Sequence, residues 1–259
     1  MRAPDRGYRY VAMSTKGDRA VPGALVTLRD GSRVLIRPIR PEDRGPLERG
    51  FAQLSERSRY LRFHTFMASL TEAQLRYLTE VDQHDHVAVV AVDAEDETRG
   101  LGVARYVRLD DPGVAEAAVT VLDELQGRGL GTLLLAALAQ HAVGNNVRTF
   151  RNYVLAENTG MLQLFENLGA KRSNDGAGVF QVDLDLSHDP EDLPDTPSGR
   201  VLKAAACRQL PALDPSLPPV WTTPAPLPSG DEARPTTAWH ERGALRDWLD
   251  EVLRPRGRR

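Results

Sequence analysis

The chain has 259 residues, enough for one domain of ordinary size or for one domain with a smaller appendage. Its hydrophobic fraction of 41%, formal net charge of -3 and sequence pI near 6.1 are typical of a soluble globular protein. They give no electrostatic reason to expect a nucleic acid or an anionic membrane as partner. A single cysteine, Cys207, excludes an internal disulfide, and no apolar run is long enough to span a bilayer, so we expect a cytoplasmic protein.

Three regions differ in composition. Residues 1–23 are polar, lack the apolar stretch of a secretory signal and are expected to form a flexible arm. Residues 24–187 carry nearly all of the periodic apolar pattern and are expected to form the folded domain. Residues 188–259 are expected to form a proline-rich C-terminal extension. Twelve of the eighteen prolines lie in the part from Ser187 onward, where they disfavour long helices and central strands.

The C-terminal extension also contains all three tryptophans of the chain, and disordered segments are poor in aromatic residues. An apolar stripe at helical spacing predicts a short amphipathic helix near residues 239–254, which would dock on the main domain or on a partner. A solvated tail with a marginal helix is the alternative, since isolated helices this short rarely persist in water. The stripe consists of Leu245, Trp248, Leu249, Val252 and Leu253.

Within residues 24–187 the predicted elements alternate between strands and helices. Asp30-Gly31 predicts a hairpin between two strands, and helices are expected to begin near Pro41 and Thr71. Strands interleaved with helices indicate an α/β or α+β domain. The predicted strands are 24–28, 34–38, 86–92, 102–109, 116–122, 147–155 and 179–186, and the later predicted helices are 130–142 and 159–168.

The most informative segment is Gln126-Gly-Arg-Gly-Leu-Gly131, which joins a predicted strand to a predicted helix. Glycines at every second position let backbone N–H groups approach an anion with no Cβ in the way. A helix that begins near Gly129 adds unpaired N–H groups and the positive end of its dipole, so the turn predicts a phosphate site. The glycine spacing matches neither a Rossmann nor a Walker motif. Glycines that only ease the change from strand to helix are the alternative.

This segment resembles the Gln/Arg-x-x-Gly-x-Gly/Ala coenzyme A signature of GNAT acetyltransferases. The order downstream agrees, with a helix, a strand ending near Leu155, then Glu157-Asn158-Thr-Gly-Met161 and Leu168-Gly169-Ala170. Within that family the chain most resembles the bacterial Pat-type protein lysine acetyltransferases, and the resemblance covers about residues 25–186. The Pat-like segments are Ser55-Glu-Arg-Ser-Arg-Tyr-Leu-Arg-Phe63, Val81-Asp82 leading into His86-Val-Ala-Val-Val-Ala91, and Ala115-Glu116-Ala117.

The resemblance implies the GNAT fold, a mixed and largely antiparallel sheet with a central V-shaped splay and helices on both faces. It also implies acetyl-coenzyme A as co-substrate, with its pyrophosphate on the glycine turn and its pantetheine arm in the splay. A backbone N–H near Leu122 is expected to point at the acetyl carbonyl. The implied cofactor-binding residues are Val119, Val121, Leu122, Gln126, Gly127, Arg128, Gly129, Leu130, Gly131, Thr132, Asn158, Met161 and Phe165.

The resemblance places the catalytic base at Glu116. Burial among alanines is expected to raise its pKa towards about 6 to 7, whereas a solvated glutamate at the start of a strand is the alternative. Asn158 is expected to bind the pantetheine arm, to cap the following helix, or to do both. Phe165 stands where many GNAT enzymes have a tyrosine that protonates the leaving thiolate, so the thiolate would leave unaided or take a proton from water.

The sequence therefore predicts transfer of an acetyl or similar short acyl group from coenzyme A to a primary amine. A protein lysine is the favoured acceptor, and the resemblance suggests a metabolic acyl-coenzyme A synthetase as target. A small-molecule amine acetyltransferase and a non-catalytic acyl-coenzyme A sensor or partner-binding module are the alternatives. Arg57, Arg59 and Arg62 are candidates for the acceptor site or are only solvated charges. No metal is expected, because residues 82–86 lack the spacing of a zinc or calcium site.

Overall fold

A computed structural model describes residues 10–12, 23–28, 30–176, 178–186 and 194–206. Cys207, the three tryptophans and the predicted helix near 239–254 lie outside the described residues. No helix in the described part of the chain is both long enough and apolar enough to cross a membrane.

One nine-stranded sheet organises the described residues, with the strands in the order β1-β2-β3-β4-β5-β6-β7-β9-β8. The strands are β1 (Tyr10–Ala12), β2 (Ala24–Thr27), β3 (Arg33–Pro38), β4 (His86–Asp93), β5 (Gly100–Arg108), β6 (Val114–Val121), β7 (Thr149–Leu155), β8 (Lys171–Gly176) and β9 (Val179–Asp185). The α-helices are α1 (Arg44–Gln53), α2 (Glu56–Phe63), α3 (Glu72–Thr79), α4 (Leu130–Gly144), α5 (Thr159–Asn167) and α6 (Pro197–Ala206).

The sheet is parted at its centre. All neighbouring strands pair antiparallel except β6 and β7, which are parallel. Their pairing joins only Val114–Glu116 to Thr149–Arg151, although β6 continues to Val121 and β7 to Leu155. The two strands therefore diverge beyond Glu116, which confirms the mixed, largely antiparallel sheet and the V-shaped splay expected from the sequence.

Helices cover both faces of the sheet, as predicted. The α4 helix packs on β4, β5 and β6, and its leucines are almost fully buried, which is why α4 is apolar all round. On the opposite face α1 packs against β5 and α2 against β6. Because side chains alternate along β6, Glu116 and Thr120 share the α1–α2 face, while Ala115 and Val119 face α4.

A buried ion pair holds the start of the first helical layer to β3. Arg37 Nη1 and Nη2 donate to the two carboxylate oxygens of Asp43 at 2.8 and 2.8 Å, and the side chains are 3% and 7% exposed. Burial lowers the pKa of Arg37, but the bonds to Asp43 outweigh burial and hold the pKa above its usual value. This pair fixes the 3-10 turn Pro41–Asp43 that leads into α1.

The strands and helices predicted within residues 24–187 are all present, and the hairpin at Asp30-Gly31 is among them, with Gly31 at φ +89°. Four elements were not predicted: β1, α2, β8 and α6. The residues of β8 are all exposed, so no alternation of apolar side chains marked that strand. The α6 helix begins at Pro197, and proline is favoured at the first helical position because its missing N–H would have no partner there. Pro197 therefore marks the start of a helix that its proline-rich surroundings did not predict.

Candidate active site

A cavity of about 550 Å³ opens where β6 and β7 diverge. Strands β6 and β7 border it, together with the glycine turn before α4 and with residues of α2, α5 and α6. Three of the fourteen predicted site residues, Leu122, Arg128 and Leu130, do not line it. The eleven that do are Glu116, Val119, Val121, Gln126, Gly127, Gly129, Gly131, Thr132, Asn158, Met161 and Phe165.

The glycine turn offers bare main-chain donors to this cavity. Gly127 and Gly129 have φ +71° and +89°, in the left-handed region that favours glycine. Gly129 is the N-cap of α4, no side chain caps that helix, and Leu133 makes its first internal bond to the Gly129 carbonyl at 3.1 Å. The N–H groups of residues 130–132 therefore have no partner within the helix. A Cβ on Gly127 would meet nothing within 4 Å, so the space beside the turn is open to an anionic ligand such as a diphosphate.

Arg128 and Leu130 can serve such a ligand only through their backbones. The Arg128 guanidinium is paired with Asp30 at the tip of the β2–β3 hairpin. Hydrogen bonds from Ser32 and then from Arg128 lower the pKa of Asp30 to about 2, so this carboxylate is ionised at any physiological pH. The Leu130 side chain is 0% exposed in the core under the sheet.

Main-chain directions along β6 differ from the expectation for Leu122. The Leu122 N–H donates to the Leu101 carbonyl at 3.1 Å and is used within the sheet, so it cannot point at a ligand in the splay. Along a strand of an antiparallel pair, successive residues direct their main-chain N–H and C=O groups alternately towards the partner and away from it. The Leu109 N–H donates to the Val114 carbonyl, so Val114, like Leu122, directs its main-chain groups towards β5. The main-chain groups of Ala117, Val119 and Val121 therefore face β7. Beyond the last β6–β7 pair, that direction leads into the splay.

Glu116 lies at the closed end of the splay and is 6% exposed. The sequence predicted small apolar surroundings, Ala115, Ala117, Ala118 and Val119, but the structure adds cationic residues on the same face. Burial lowers the pKa of Arg62 to about 10, and the negative charge of Glu116 partly offsets that effect. Burial, followed by the charge of Arg62, lowers the pKa of Arg105 to about 9. Neighbouring positive charge favours the ionised carboxylate, the form that accepts a proton.

A second layer of polar residues holds Arg105 in place. Its guanidinium donates to the Leu78 carbonyl at 3.2 Å and to His86 Nε2 at 3.1 Å. Because arginine has no acceptor, His86 Nε2 carries no proton in this contact. Burial, and then the charge of Arg105, lowers the pKa of His86 to about 3, so the imidazole is neutral. The Tyr77 ring packs on His86 with centroids 4.7 Å apart.

The N-terminus of α2 is tied to the segment that enters the glycine turn. The Asp123 carboxylate accepts hydrogen bonds from the Ser55 hydroxyl at 2.9 Å and from the Ser58 hydroxyl at 2.5 Å. Gln126 Nε2 donates to the Val121 carbonyl at 3.1 Å and to Ser58 Oγ at 3.4 Å. The Gln126 side chain therefore fixes the end of β6 against α2.

Only one of the three candidate acceptor-site arginines lines the cavity, and it is Arg62. Arg59 donates to the carbonyls of Ala52, Leu54, Met67 and Ala68, so it fixes the loops around α2. Arg57 is exposed on the outer side of α2. In the segment 82–86, the Asp82 carboxylate accepts three backbone N–H groups at 2.8 to 2.9 Å and shapes the turn before β4.

The α5 helix borders the cavity with its cap residue Asn158 and with Phe165, and β7 adds an aromatic residue opposite. Asn158 Oδ1 accepts the Met161 N–H at 3.3 Å, so Asn158 caps α5 while it also borders the cavity. Phe165 is 3% exposed and supplies no proton. Tyr153, which the sequence reasoning missed, lines the cavity from β7 on the face of Glu116. Burial and then the charge of Glu116 raise the pKa of Tyr153, so its phenol keeps its proton. The alternation along residues 147–155 was the signal that could have found it.

A family model for an acetyltransferase (GNAT) domain matches residues 33–171. The chain is similar to acetyltransferase PA5475 of Pseudomonas aeruginosa, with 36% identity over 157 residues, 60% of this chain and 84% of that protein. It is similar to acetyltransferase Pat of Mycolicibacterium smegmatis, with 34% identity over 166 residues, 62% of this chain and 48% of that protein, about half its length. The crystal structure of the GNAT domain of S. lividans PAT matches at a TM-score of 0.59 and 29% identity, over 63% of this chain and 96% of that domain.

Proposed function

Because the chain belongs to the GNAT family of acetyltransferases and has close similarity to Pat proteins, we propose that this N-acetyltransferase transfers an acetyl group from acetyl-coenzyme A to a protein lysine. One observation carries the proposal. A single cavity connects the glycine turn, which fits a diphosphate, with the buried carboxylate of Glu116 through the gap between β6 and β7.

The residues of the cavity divide the chemistry between its two ends. The N–H groups of the glycine turn and of the first turn of α4 hold a diphosphate far from the reacting carbon. The Val119 N–H is directed into the splay, where it donates to a carbonyl oxygen that gains negative charge during acyl transfer. A donor of this kind typically contributes about 3 kcal/mol to the stabilisation of the transition state.

Glu116 is the proposed base. An alkylammonium acceptor must lose a proton before its nitrogen can attack, and the ionised Glu116 carboxylate accepts that proton, directly or through one water. The C–N bond then forms as the C–S bond breaks, and the thiolate leaves with the bonding electrons. The nitrogen loses its surplus proton to water, which leaves a neutral amide. The protonated phenol of Tyr153 lies in the same cavity and is a donor that Phe165 cannot be.

A protein acceptor is favoured by the resemblance to Pat-type enzymes and by an aromatic pair beside the cavity. Phe66 is 82% exposed and stacks on Tyr60 with ring centroids 5.1 Å apart. It follows the cavity residue His64 by two positions. Exposed aromatic residues are enriched at protein interfaces, whereas a small amine would not reach this pair.

The function is tested by incubating the protein with isotopically labelled acetyl-coenzyme A and the proteins of a cell lysate. Mass spectrometry should find labelled acetyl groups on lysine side chains, and Glu116→Gln should remove most of the label. Label on free amines alone would support a small-molecule acceptor. Coenzyme binding with no label on any amine would contradict catalysis and support the sensor alternative.

Phe66→Ser tests the protein acceptor separately. We expect KM for a protein acceptor to rise about tenfold, since a buried interface aromatic often contributes more than about 1 kcal/mol. The rate with a small free amine should not change, because Phe66 does not line the cavity. Gln53→Ser, at an exposed position of α1, is the control. An equal loss with both acceptors would count against a protein-docking role for Phe66.

A further inference from the structure

The α6 helix lies beyond the residues that the family model matches, 33–171, yet it forms part of the cavity wall. Pro197, Ser198 and Val201 line the cavity together with the glycine turn. They reach it from the side of α4 and α5, the helices against which α6 packs. Glu116 and Arg62 border the same cavity from the side of α2.

Specific contacts fix α6 to the end of α5. The Thr196 hydroxyl donates to the Asn167 carbonyl, and its oxygen accepts the Gly199 N–H at 2.9 Å. Pro194 lies against Gly169, where a Cβ would stand 2.9 Å from the proline Cγ. Leu202 is 4% exposed in the core, so α6 is a docked element.

The first turn of α6 is too tight for any residue but glycine at one position. A Cβ on Gly199 would come 1.9 Å from the Pro194 carbonyl oxygen. The chain thus bends closely at Pro194–Gly199, which brings Pro197 and Ser198 to the cavity. This bend gives the cavity wall a defined shape on the α6 side.

We propose that α6 forms the outer wall of the coenzyme site and binds the nucleotide end of coenzyme A, an inference that rests on the function proposed above. With the diphosphate on the glycine turn and the acyl group near Glu116, the adenosine 3′-phosphate must extend away from the splay. On the α6 side it meets the apolar surfaces of Pro197 and Val201 and the Ser198 hydroxyl. The amides of Gln163 and Asn167 from α5 complete this part of the wall.

The cavity keeps a volume of about 550 Å³ with α6 docked, so the helix encloses the site without filling it. Binding at this wall must also stabilise the docked position of α6, because a ligand shifts an equilibrium towards the state that it contacts. The wall therefore predicts both weaker binding when it is altered and protection of α6 when the coenzyme binds.

Ser198→Asp in the full chain tests the first consequence. An acidic residue suits the first turn of a helix, so the fold should be kept, while its carboxylate repels a nucleotide phosphate. We expect about tenfold weaker binding of coenzyme A by calorimetry and less than a twofold change for phosphopantetheine, which lacks the nucleotide. Arg200→Gln is the matched control, because it also makes α6 more negative by one unit, at an exposed position outside the cavity, where loss of the solvent-exposed ion pair with Asp195 costs little.

Hydrogen exchange of the wild-type protein tests the second consequence. Coenzyme A should slow the exchange of amides in residues 197–202, and phosphopantetheine should leave them unchanged. Wild-type or tighter coenzyme affinity in Ser198→Asp, or unaltered exchange in α6, would overturn the proposal. Gly131→Glu separates the two hypotheses. If it loses coenzyme binding while Ser198→Asp retains it, only the α6 proposal fails, and if the wild type binds no coenzyme A, the proposed function fails as well.

Discussion

Glu116 combines burial with neighbouring positive charge, and this combination sets the chemistry expected of it. The carboxylate is 6% exposed, and Arg62 and Arg105 lie on the same face of the sheet. A carboxylate in wholly apolar surroundings would tend to be protonated, whereas nearby guanidinium groups favour the ionised form. We infer that these guanidinium groups favour the form of Glu116 that accepts a proton.

Glu116→Gln should lower kcat/KM by about a hundredfold to ten-thousandfold at neutral pH, because the amide cannot accept a proton. The loss should shrink as the pH approaches the pKa of the acceptor amine, since the free amine then forms unaided. The affinity for coenzyme A should not change. These outcomes are checked by pH–rate profiles and calorimetry, and a loss of equal size at every pH would argue against a base.

Gly131→Glu should abolish coenzyme binding without unfolding the protein. A Cβ at Gly131 comes no closer than 3.8 Å to Val121, and an acid in the first turn of α4 interacts favourably with the helix dipole. Its charge would occupy the place proposed for the diphosphate. Gly129→Ala should instead lower stability and keep coenzyme binding. At φ +89° alanine costs about 1 to 2 kcal/mol of stability, but it adds no charge. Thermal melts and binding titrations distinguish the two.

At the level of elements, the ion pair between Arg37 and Asp43 fixes the entry into α1. Asp43→Ala should lower the free energy of unfolding by about 3 to 5 kcal/mol, since it leaves a buried guanidinium without its partner. Glu97 is the other partner of Arg37, and its side chain is 52% exposed. Glu97→Ala should therefore lower the free energy of unfolding by at most about 1 kcal/mol. Urea denaturation measures both. Similar losses for the two variants would contradict the dominance of the buried pair.

The elements that form the coenzyme turn could be predicted because their signals are local. Glycine spacing and an apolar helix mark the passage from β6 to α4, but nothing in the sequence gives the phase of main-chain hydrogen bonds along β6. That phase depends on pairing with β5, which is why the sequence predicted the Leu122 N–H as the donor in the splay, whereas we propose the Val119 N–H. The edge strand β8 could not be predicted, because all its residues are exposed and it buries no apolar side chains that would create an alternating pattern. The docking of α6 could not be predicted either, because it depends on tertiary contacts with Asn167 and Gly169.

At the scale of the whole molecule, two neutral histidines make stability depend on pH. Burial lowers the pKa of His86 to about 3, with a further contribution from Arg105, and burial lowers the pKa of His141 to about 4. Both values lie below the ordinary 6.5. The unfolded chain therefore binds protons that the folded chain does not, and the stability present above pH 6.5 is lost as the pH falls towards these values.

Each histidine should contribute a slope of about 1.4 kcal/mol per pH unit once the pH is well below 6.5. His141→Leu should remove one such slope and raise stability at pH 5, because His141 Nε2 is buried and has no hydrogen-bond partner among the described residues. Gln53→Ser, at an exposed position and without an ionisable group, is the control and should leave the slope unchanged. Chemical denaturation between pH 7 and pH 5 measures these slopes.

The short contact between β6 and β7 has a mechanical consequence. Among the described residues, three residue pairs are all of the strand pairing between the part of the sheet formed by β1 to β6, here called the first blade, and the part formed by β7, β9 and β8, the second blade. An extended molecule lying in the gap and hydrogen-bonding to the main-chain groups of β6 that face β7 would act as an extra strand. The bound molecule would then link the two blades, and the release of product would weaken the connection between β6 and β7.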